Sequence, residues 1–312
     1  MNQDHYQGLL MRSAGLAPVP TAVVHPCEPR ALQGVLDAEE AGLITPILIG
    51  PRRKIEATAA AVGLDISRLP LEAVEHSHAA AARGVELVRE GRAELLMKGS
   101  LHTDELLQAV TARNTGLRTA RRLSHVYAMN VPSYHKPLFV TDAAVNIFPS
   151  LDDKADICRN AIDLLHVLGI ERPKLALLSA VETVTAKLPS TLEAAALVVM
   201  ALRGQIEGGL LDGPLAFDNA INAEAARVKG IRSEVAGDPD ILLAPDLEAG
   251  NILAKQLIYL AGAEAAGIVL GARVPIILTS RADGPRVRIA SCALGVLLAE
   301  ARRMAPAAQA LA

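Results

Sequence analysis

The sequence predicts an α/β protein with mostly parallel sheets and helices on both faces. Three observations predict it. Short apolar runs rich in branched side chains recur along the chain, among them Thr45 to Gly50, Ile241 to Ala244 and Ile276 to Leu278. Segments of helical spacing, roughly 10–18 residues long, separate them. The last two runs end in small and charged residues, Pro245-Asp246 and Thr279-Ser280-Arg281-Ala282-Asp283-Gly284. Short apolar runs bounded by turn signals suit strands buried on both faces. Polar residues just past the carboxyl ends of such strands are where open α/β sheets place ligands.

The elements follow in order. Residues 1–17 read as a polar-to-amphipathic leader with a short helix, and Thr21 to His25 as a strand stopped by Pro26 and Pro29. Arg30 to Ala41 has helical spacing through Leu32, Val35, Leu36 and Ala38, and Gly42 ends it. A strand over Thr45 to Gly50 leads to a helix up to Gly63, and Leu71 to Val74 is a weak strand. Residues 77–90 form a helix closed by Gly91. Glu94 to Met97 is a strand ending in Lys98-Gly99-Ser100, and Thr103 caps a helix with Asp104 and Glu105 in its first turn.

From His125 to Ile147 two extended segments follow one another across a Pro-rich turn, which predicts an antiparallel pair or a crossover between domains. Alternation then resumes. Helices are predicted over Asp152 to Leu168, Pro189 to Ile206, Asp218 to Val228 and Val287 to Met304, and strands over Lys174 to Ala180 and Leu210 to Leu215.

A chain of 312 residues can hold one large or two ordinary domains. Half of it is hydrophobic, yet aromatics are nearly absent, so small aliphatic residues must fill the core. A net charge of -3 gives no basic footprint and argues against nucleic acid as a partner. Cys27, Cys158 and Cys292 are few, widely spaced and odd in number, which argues against a disulfide framework and fits a reducing compartment. The first residues make a poor signal peptide, and the long apolar stretch from Ile252 is broken by Lys255, Glu264 and Arg273, so a cytoplasmic protein without a membrane segment is expected.

Several familiar chemistries lack their residues. No strand is followed by G-x-G-x-x-G, and Gly262 to Gly267 has P-loop glycine spacing but continues Ile268-Val269 where Lys-Ser/Thr is required. HExxH and CxxC do not occur. His76 and His78 have no evident further ligand and read better as a helix start than as a metal site. Ser124 and His125 are adjacent on a strand and so point to opposite faces.

Three segments carry candidate chemistry. Lys98-Gly99-Ser100 delivers a cation and a turn to a helix start whose free N–H groups favour an anion, although an ordinary strand–helix turn would look the same. Arg113, Arg118, Arg121 and Arg122 cluster around Gly116, and a guanidinium fork suits phosphate, although surface arginines are more often merely solvated. Ser280-Arg281-Ala282-Asp283 offers a hydroxyl, a fixed cation and a carboxylate within four positions, enough to bind an anion, stabilise an oxyanion and accept a proton. The alternative there is a helix N-cap with an ion pair.

At these residues the sequence resembles the phosphate acetyltransferase/phosphate butyryltransferase family. The resemblance runs through Glu40 to Gly50, Met97-Lys98-Gly99, Asp142 to Pro149, Asp212 to Leu215 with Asp218-Asn219-Ala220, Pro245 to Asn251, and Pro275 to Asp283. It implies two α/β/α domains akin to the isocitrate/isopropylmalate dehydrogenase architecture, with the active site in the interdomain cleft. The corresponding division is 1–145 plus 268–312 for the first domain and 146–267 for the second.

The resemblance further implies acyl transfer between coenzyme A and inorganic phosphate, both as substrates, with no cofactor and no metal, in a homodimer. Ser280, Arg281 and Asp283 become the expected catalytic residues, and Lys98, Gly99, Ser100, Arg118, Arg122 and Asn251 the expected substrate-binding ones. Arg281 would hold the phosphate, Ser280 would bond the reacting carbonyl or sulfur, and a carboxylate would take the thiol proton. One departure stands out. Acetyltransferases of the family follow Ser-Arg with Gly and carry their aspartate several residues later, where this chain has Arg286 and Val287; Asp283 matches the butyryltransferase-like TSRAD form. Two other readings remain: a dehydrogenase of the same architecture, using Asp212, Asp218, Asp238 and Asp246 around a metal, and a non-catalytic acyl-CoA or acyl-phosphate binding module.

Overall fold

The computed structural model describes residues 5–280 and 283–304. The chain forms two compact units, one of Tyr6–Arg121 with the described residues from Ala266 on, the other of Arg122–Ala265. These bounds differ from the 145/146 and 267/268 breaks expected from sequence. The Pro-rich turn near residue 133 joins two strands of one sheet, so it lies inside a unit and not at its edge.

The first unit opens with α1 (His5–Ser13), β1 (Val19–Val24), α2 (Pro29–Glu40), β2 (Ile44–Gly50), α3 (Arg52–Ala61), β3 (Leu71–Ala73), α4 (Ser77–Arg89), β4 (Leu95–Lys98) and α5 (Thr103–Thr111). The second unit contains β5 (Ser124–Asn130), β6 (Leu138–Thr141), α6 (Leu151–Val167), β7 (Lys174–Leu178), α7 (Pro189–Leu202), β8 (Leu210–Leu215), α8 (Phe217–Ile221), α9 (Ala223–Val228), β9 (Ile241–Leu243) and α10 (Leu247–Tyr259). β10 (Glu264–Leu270) leads back, and β11 (Ile276–Ile277) and α11 (Pro285–Met304) complete the first unit.

In the first unit the strands run β3-β2-β1-β4-β11-β10. All neighbouring pairs are parallel except β10 with β11. The register sets Val24 beside Lys98 and Ile277 beside Met97. Three strands therefore end together, and continuing the register sets His25, Gly99 and Thr279 level just past them, each strand about 4.8 Å from the next. The alternation expected of a one-sided sheet is absent, because Val23, Val24, Leu95, Leu96, Ile276 and Ile277 are all buried and α4 and α11 cover them. Small residues make that cover possible. A Cβ on Gly84 would lie 2.8 Å from Val24 Cγ2, so glycine lets α4 seat directly on β1.

In the second unit the order is β5-β6-β9-β7-β8, with only the β5–β6 pair antiparallel, which is the first of the two readings that the consecutive extended segments allow. Its core joins Met129, Leu138, Val140, Ala176, Leu215, Leu242 and Ala254.

Local differences from the sequence reading have local causes. The α5 cap is His102, one residue before Thr103, and Glu105 reaches back to the His102 N–H. The polar helix predicted over 218–228 is two helices, because Asn222 turns out of line and caps the second by accepting from the Ala225 N–H. β10 has no counterpart in the sequence reading. Its Gly267 and flanking alanines mask a buried strand whose Gly267 N–H is bonded by Ser291 Oγ.

Candidate active site

Each unit gathers candidate residues at the carboxyl ends of its own parallel strands. In the first unit these are the ends of β1, β4 and β11. Gly99 is needed for close approach: a Cβ there would sit 2.5 Å from the Val24 carbonyl oxygen and 2.6 Å from that of His25. The Gly99 N–H bonds Val24 O at 2.9 Å, and the Ser100 N–H and Oγ both donate to His25 O, at 2.9 and 2.8 Å. Ser100 Oγ also accepts from the Cys27 N–H at 3.0 Å. The Lys98-Gly99-Ser100 turn is thus fastened to the β1–α2 loop, through Ser100, which is also an expected substrate-binding residue.

Lys98 is buried at the same end. Its ammonium bears electrostatically on Asp283, whose carboxyl group is pushed up by burial and drawn back by the Ser280 N–H, Arg288 and Lys98. Asp283 Oδ2 accepts that N–H at 2.6 Å, and the Asp283 N–H returns a bond to Ser280 O at 3.2 Å. Arg281 lies outside the described residues.

Two residues of this cluster escaped the sequence reading. Arg288, one turn into α11, is buried and donates to Thr279 Oγ1 at 3.3 Å and to Ser280 O at 3.2 Å. It braces the loop that carries Ser280. Its signal was faint: an arginine on the apolar face of a helix, with Gly34 of α2 opposite to leave room for its stem. The second is His25, at the end of β1, whose Nδ1 lies 3.4 Å from Ser100 Oγ. Arg286, one of the two residues found where the resemblance leads one to expect an aspartate, places its guanidinium carbon 4.2 Å from the Tyr6 ring centroid.

Arg118 belongs to the same unit but not to this cluster. Its side chain is exposed and its backbone bridges to Ala272, in a loop held by Arg273 N–H to Leu117 O at 2.9 Å and Thr119 Oγ1 to Gly271 O at 2.7 Å.

In the second unit Arg122 and Asn251 meet the loop after β6. Arg122 Nε donates to Asn146 Oδ1 at 2.7 Å and lies 3.4 Å from Asp153. Asn251 Nδ2 donates to Ala143 O at 3.0 Å. Between them Asp142 is buried, and accepts from the N–H groups of Ala144, Val145 and Asn146. Both expected binding residues thus order the Asp142–Asn146 loop. A small recess opens beside the ends of β7 and β9, lined by Leu177, Leu178, Ala194 and Leu243, with buried Lys154 paired to Glu193 at its wall.

The acidic set proposed for a dehydrogenase is dispersed. Asp238 is paired with Lys136, Lys174 and His135, Asp218 with Lys229, and Asp246 caps α10. All three cysteines are buried free thiols.

Comparison with known proteins shows the family. The family model described as phosphate acetyl/butaryl transferase matches residues 69–295. The chain is similar to a phosphate acetyltransferase from Rhizobium meliloti, 60% identical over 303 residues covering 97% of this chain and 96% of that protein. It is also similar to a phosphate butyryltransferase from Clostridium acetobutylicum, 41% identical over 268 residues, 86% of this chain and 89% of that protein. Among solved structures, a branched-chain phosphotransacylase from Enterococcus faecalis V583 superposes with a TM-score of 0.78 at 29% identity, covering 90% of this chain and 99% of that one. With that coverage and those strand-end residues, the chain belongs to the phosphate acetyl/butaryl transferase family.

Proposed function

We propose that this protein transfers an acetyl or short-chain acyl group between coenzyme A and inorganic phosphate, with acetyl preferred, and that the chemistry is carried at the ends of β1, β4 and β11. The observation that supports the placement is the meeting of buried Lys98 with Asp283 and Arg288 at adjacent strand ends. The acetyl preference rests on the 60% identity to a protein named for that acyl group. The TSRAD form of the loop keeps butyryl as the second reading.

Lys98 and Arg281 supply charge for the phosphate, a task that suits a buried ammonium and a guanidinium fork. Ser280 donates to the reacting carbonyl as its oxygen becomes negative. Gly99 and Ser100 fix the backbone around the anion. Arg118, Arg122 and Asn251 are substrate-binding residues in this reading, the last two through the loop they order. Two groups at these strand ends can accept the thiol proton, Asp283 and His25. Coenzyme A and phosphate enter as substrates, and no further cofactor or metal is needed for direct attack of one on the other's acyl group.

Thiol release from acetyl-, propionyl- and butyryl-CoA, with phosphate present or omitted and with a chelator added, tests the whole reading. Phosphate-dependent release, fastest with acetyl-CoA and indifferent to chelator, is expected. A protein that binds acyl-CoA without releasing thiol would instead be a binding module. We further propose a cytoplasmic homodimer. No helix among the described residues is long and apolar enough to cross a membrane. Leu192, Val199 and Leu202 on α7 and Ile252 and Tyr259 on α10 are exposed apolar side chains suited to a subunit contact. Light scattering on the purified protein gives the mass that decides it.

A further inference from the structure

We propose that His25 is the base that takes the coenzyme A thiol proton, through its Nε2, and that it returns the proton when the reaction runs the other way; this rests on the phosphate acyltransferase reading above.

The backbone makes the first argument. His25 has φ 56, the only non-glycine positive φ among the described residues. For an L-residue that conformation costs about 1–2 kcal/mol. It persists because the surroundings over-determine it: the His25 N–H donates to Ile49 O at 2.7 Å, and His25 O accepts from the Cys27 N–H, the Ser100 N–H and Ser100 Oγ. Strain held in this way at the end of a buried strand fixes the direction of one side chain.

Hydrogen-bond geometry makes the second. The single hydrogen of Ser100 Oγ goes to His25 O, so towards His25 Nδ1 that oxygen can only accept. In that arrangement we assign the ring proton to Nδ1, which leaves Nε2 with its lone pair. Among the described residues Nε2 makes no hydrogen bond. A neutral imidazole with a free acceptor nitrogen is poor company for a phosphate dianion and good company for a thiol.

The surroundings agree. Burial, followed by the charge of Lys54 on α3, lowers the His25 pKa, and Glu105 on α5 and Glu28 in the β1–α2 loop oppose them. Lys98 on β4 ends alongside. The lowered pKa favours the neutral ring, which is the form that accepts a proton. Asp283 is less available, since its Oδ2 already holds the Ser280 N–H.

In the step itself the S–H bond breaks and its proton moves to Nε2, while sulfur forms a bond to the acyl carbon of the acyl phosphate. The tetrahedral intermediate then collapses. The bond from acyl carbon to phosphate oxygen breaks, and the imidazolium gives its proton to the departing phosphate.

The test is His25→Asn. Asparagine tolerates positive φ and keeps a donor for Ser100, but has no titratable base. In the acyl phosphate plus coenzyme A direction kcat is expected to fall about 100-fold or more, with the KM for acyl phosphate changed less than about threefold and the acidic limb of kcat/KM abolished. A kcat within about threefold of wild type, or survival of that limb, overturns the proposal. If His25→Asn does not fold, His25→Gly, which also accepts the backbone angle, takes its place. Asp283→Asn provides an independent readout: its acidic limb must persist, and its loss assigns the base to Asp283 and overturns the proposal. Wild-type protein that transfers no acyl group overturns the functional reading and this proposal together, whereas an active wild type with an unimpaired His25→Asn overturns this proposal alone.

Discussion

Asp283 accepts the backbone N–H of Ser280 at 2.6 Å, and this bond braces the backbone at Ser280. The carboxylate is half-buried and has Arg288 and Lys98 near it, so it is both a brace and a charge.

Asp283→Asn separates those roles. Asparagine still accepts the Ser280 N–H but carries no charge. Burial raises the folded-state pKa of Asp283 above 3.8, so the folded state binds its proton more tightly than the unfolded chain does. Its contribution is therefore fully present at low pH and is lost as pH rises through the folded pKa. At pH 7 the variant should equal or exceed wild-type stability, by up to about 1 kcal/mol in urea unfolding, while kcat falls about tenfold through misplaced loop charge. A clear loss of stability at pH 7 would show that the brace depends on the charge.

Lys98→Met should weaken phosphate binding above all. A buried charge-assisted contact is worth about 1.5–3 kcal/mol, so the KM for phosphate should rise about 10- to 100-fold. The KM for acetyl-CoA should move much less. Equal increases in both constants would argue that Lys98 supports the fold of the site and not the anion.

Gly99→Ala should cost stability at a point the eye would take for a binding loop. Its Cβ would press on two backbone carbonyls, which cannot rotate aside as a side chain can. A loss of about 3 kcal/mol is expected from denaturant midpoints. Retention of wild-type stability would mean that β1 and β4 part more easily than their register implies.

His125 sets an acid limit on the second unit. Its ring is fully buried on β5, stacked edge-on against Tyr127 at 4.3 Å between centroids, with neither nitrogen bonded. Desolvation lowers its pKa from 6.5 to about 3. The unfolded chain thus binds a proton between those values and the folded chain does not, so stability is lost as pH falls from 6.5 towards 3. His125→Phe removes the titration and leaves no unpaired nitrogen. Its urea midpoint should decline less between pH 6.5 and 4.5 than that of wild type; parallel declines would assign the acid sensitivity elsewhere.

The sequence by itself determined the alternation of strand and helix, the two consecutive extended segments that become β5 and β6, and the positions where strands end in polar residues, because these follow from periodicity and turn chemistry within a few residues. It also marked Lys98, Ser280 and Asp283, whose place just past an apolar run is a local signal. Only the tertiary structure decided which strand ends stand together. β1, β4 and β11 are separated by up to about 250 residues of chain, and no local pattern encodes their register. That register ties Ser100 to the carbonyl of His25, and in the second unit the packing of α10 and the chain before β5 against the end of β6 brings Arg122 and Asn251 onto the Asp142–Asn146 loop. It also drew in Arg288 and His25. One looked like an ordinary helix arginine and the other like the last residue of a strand, and what they do depends on neighbours that only folding supplies.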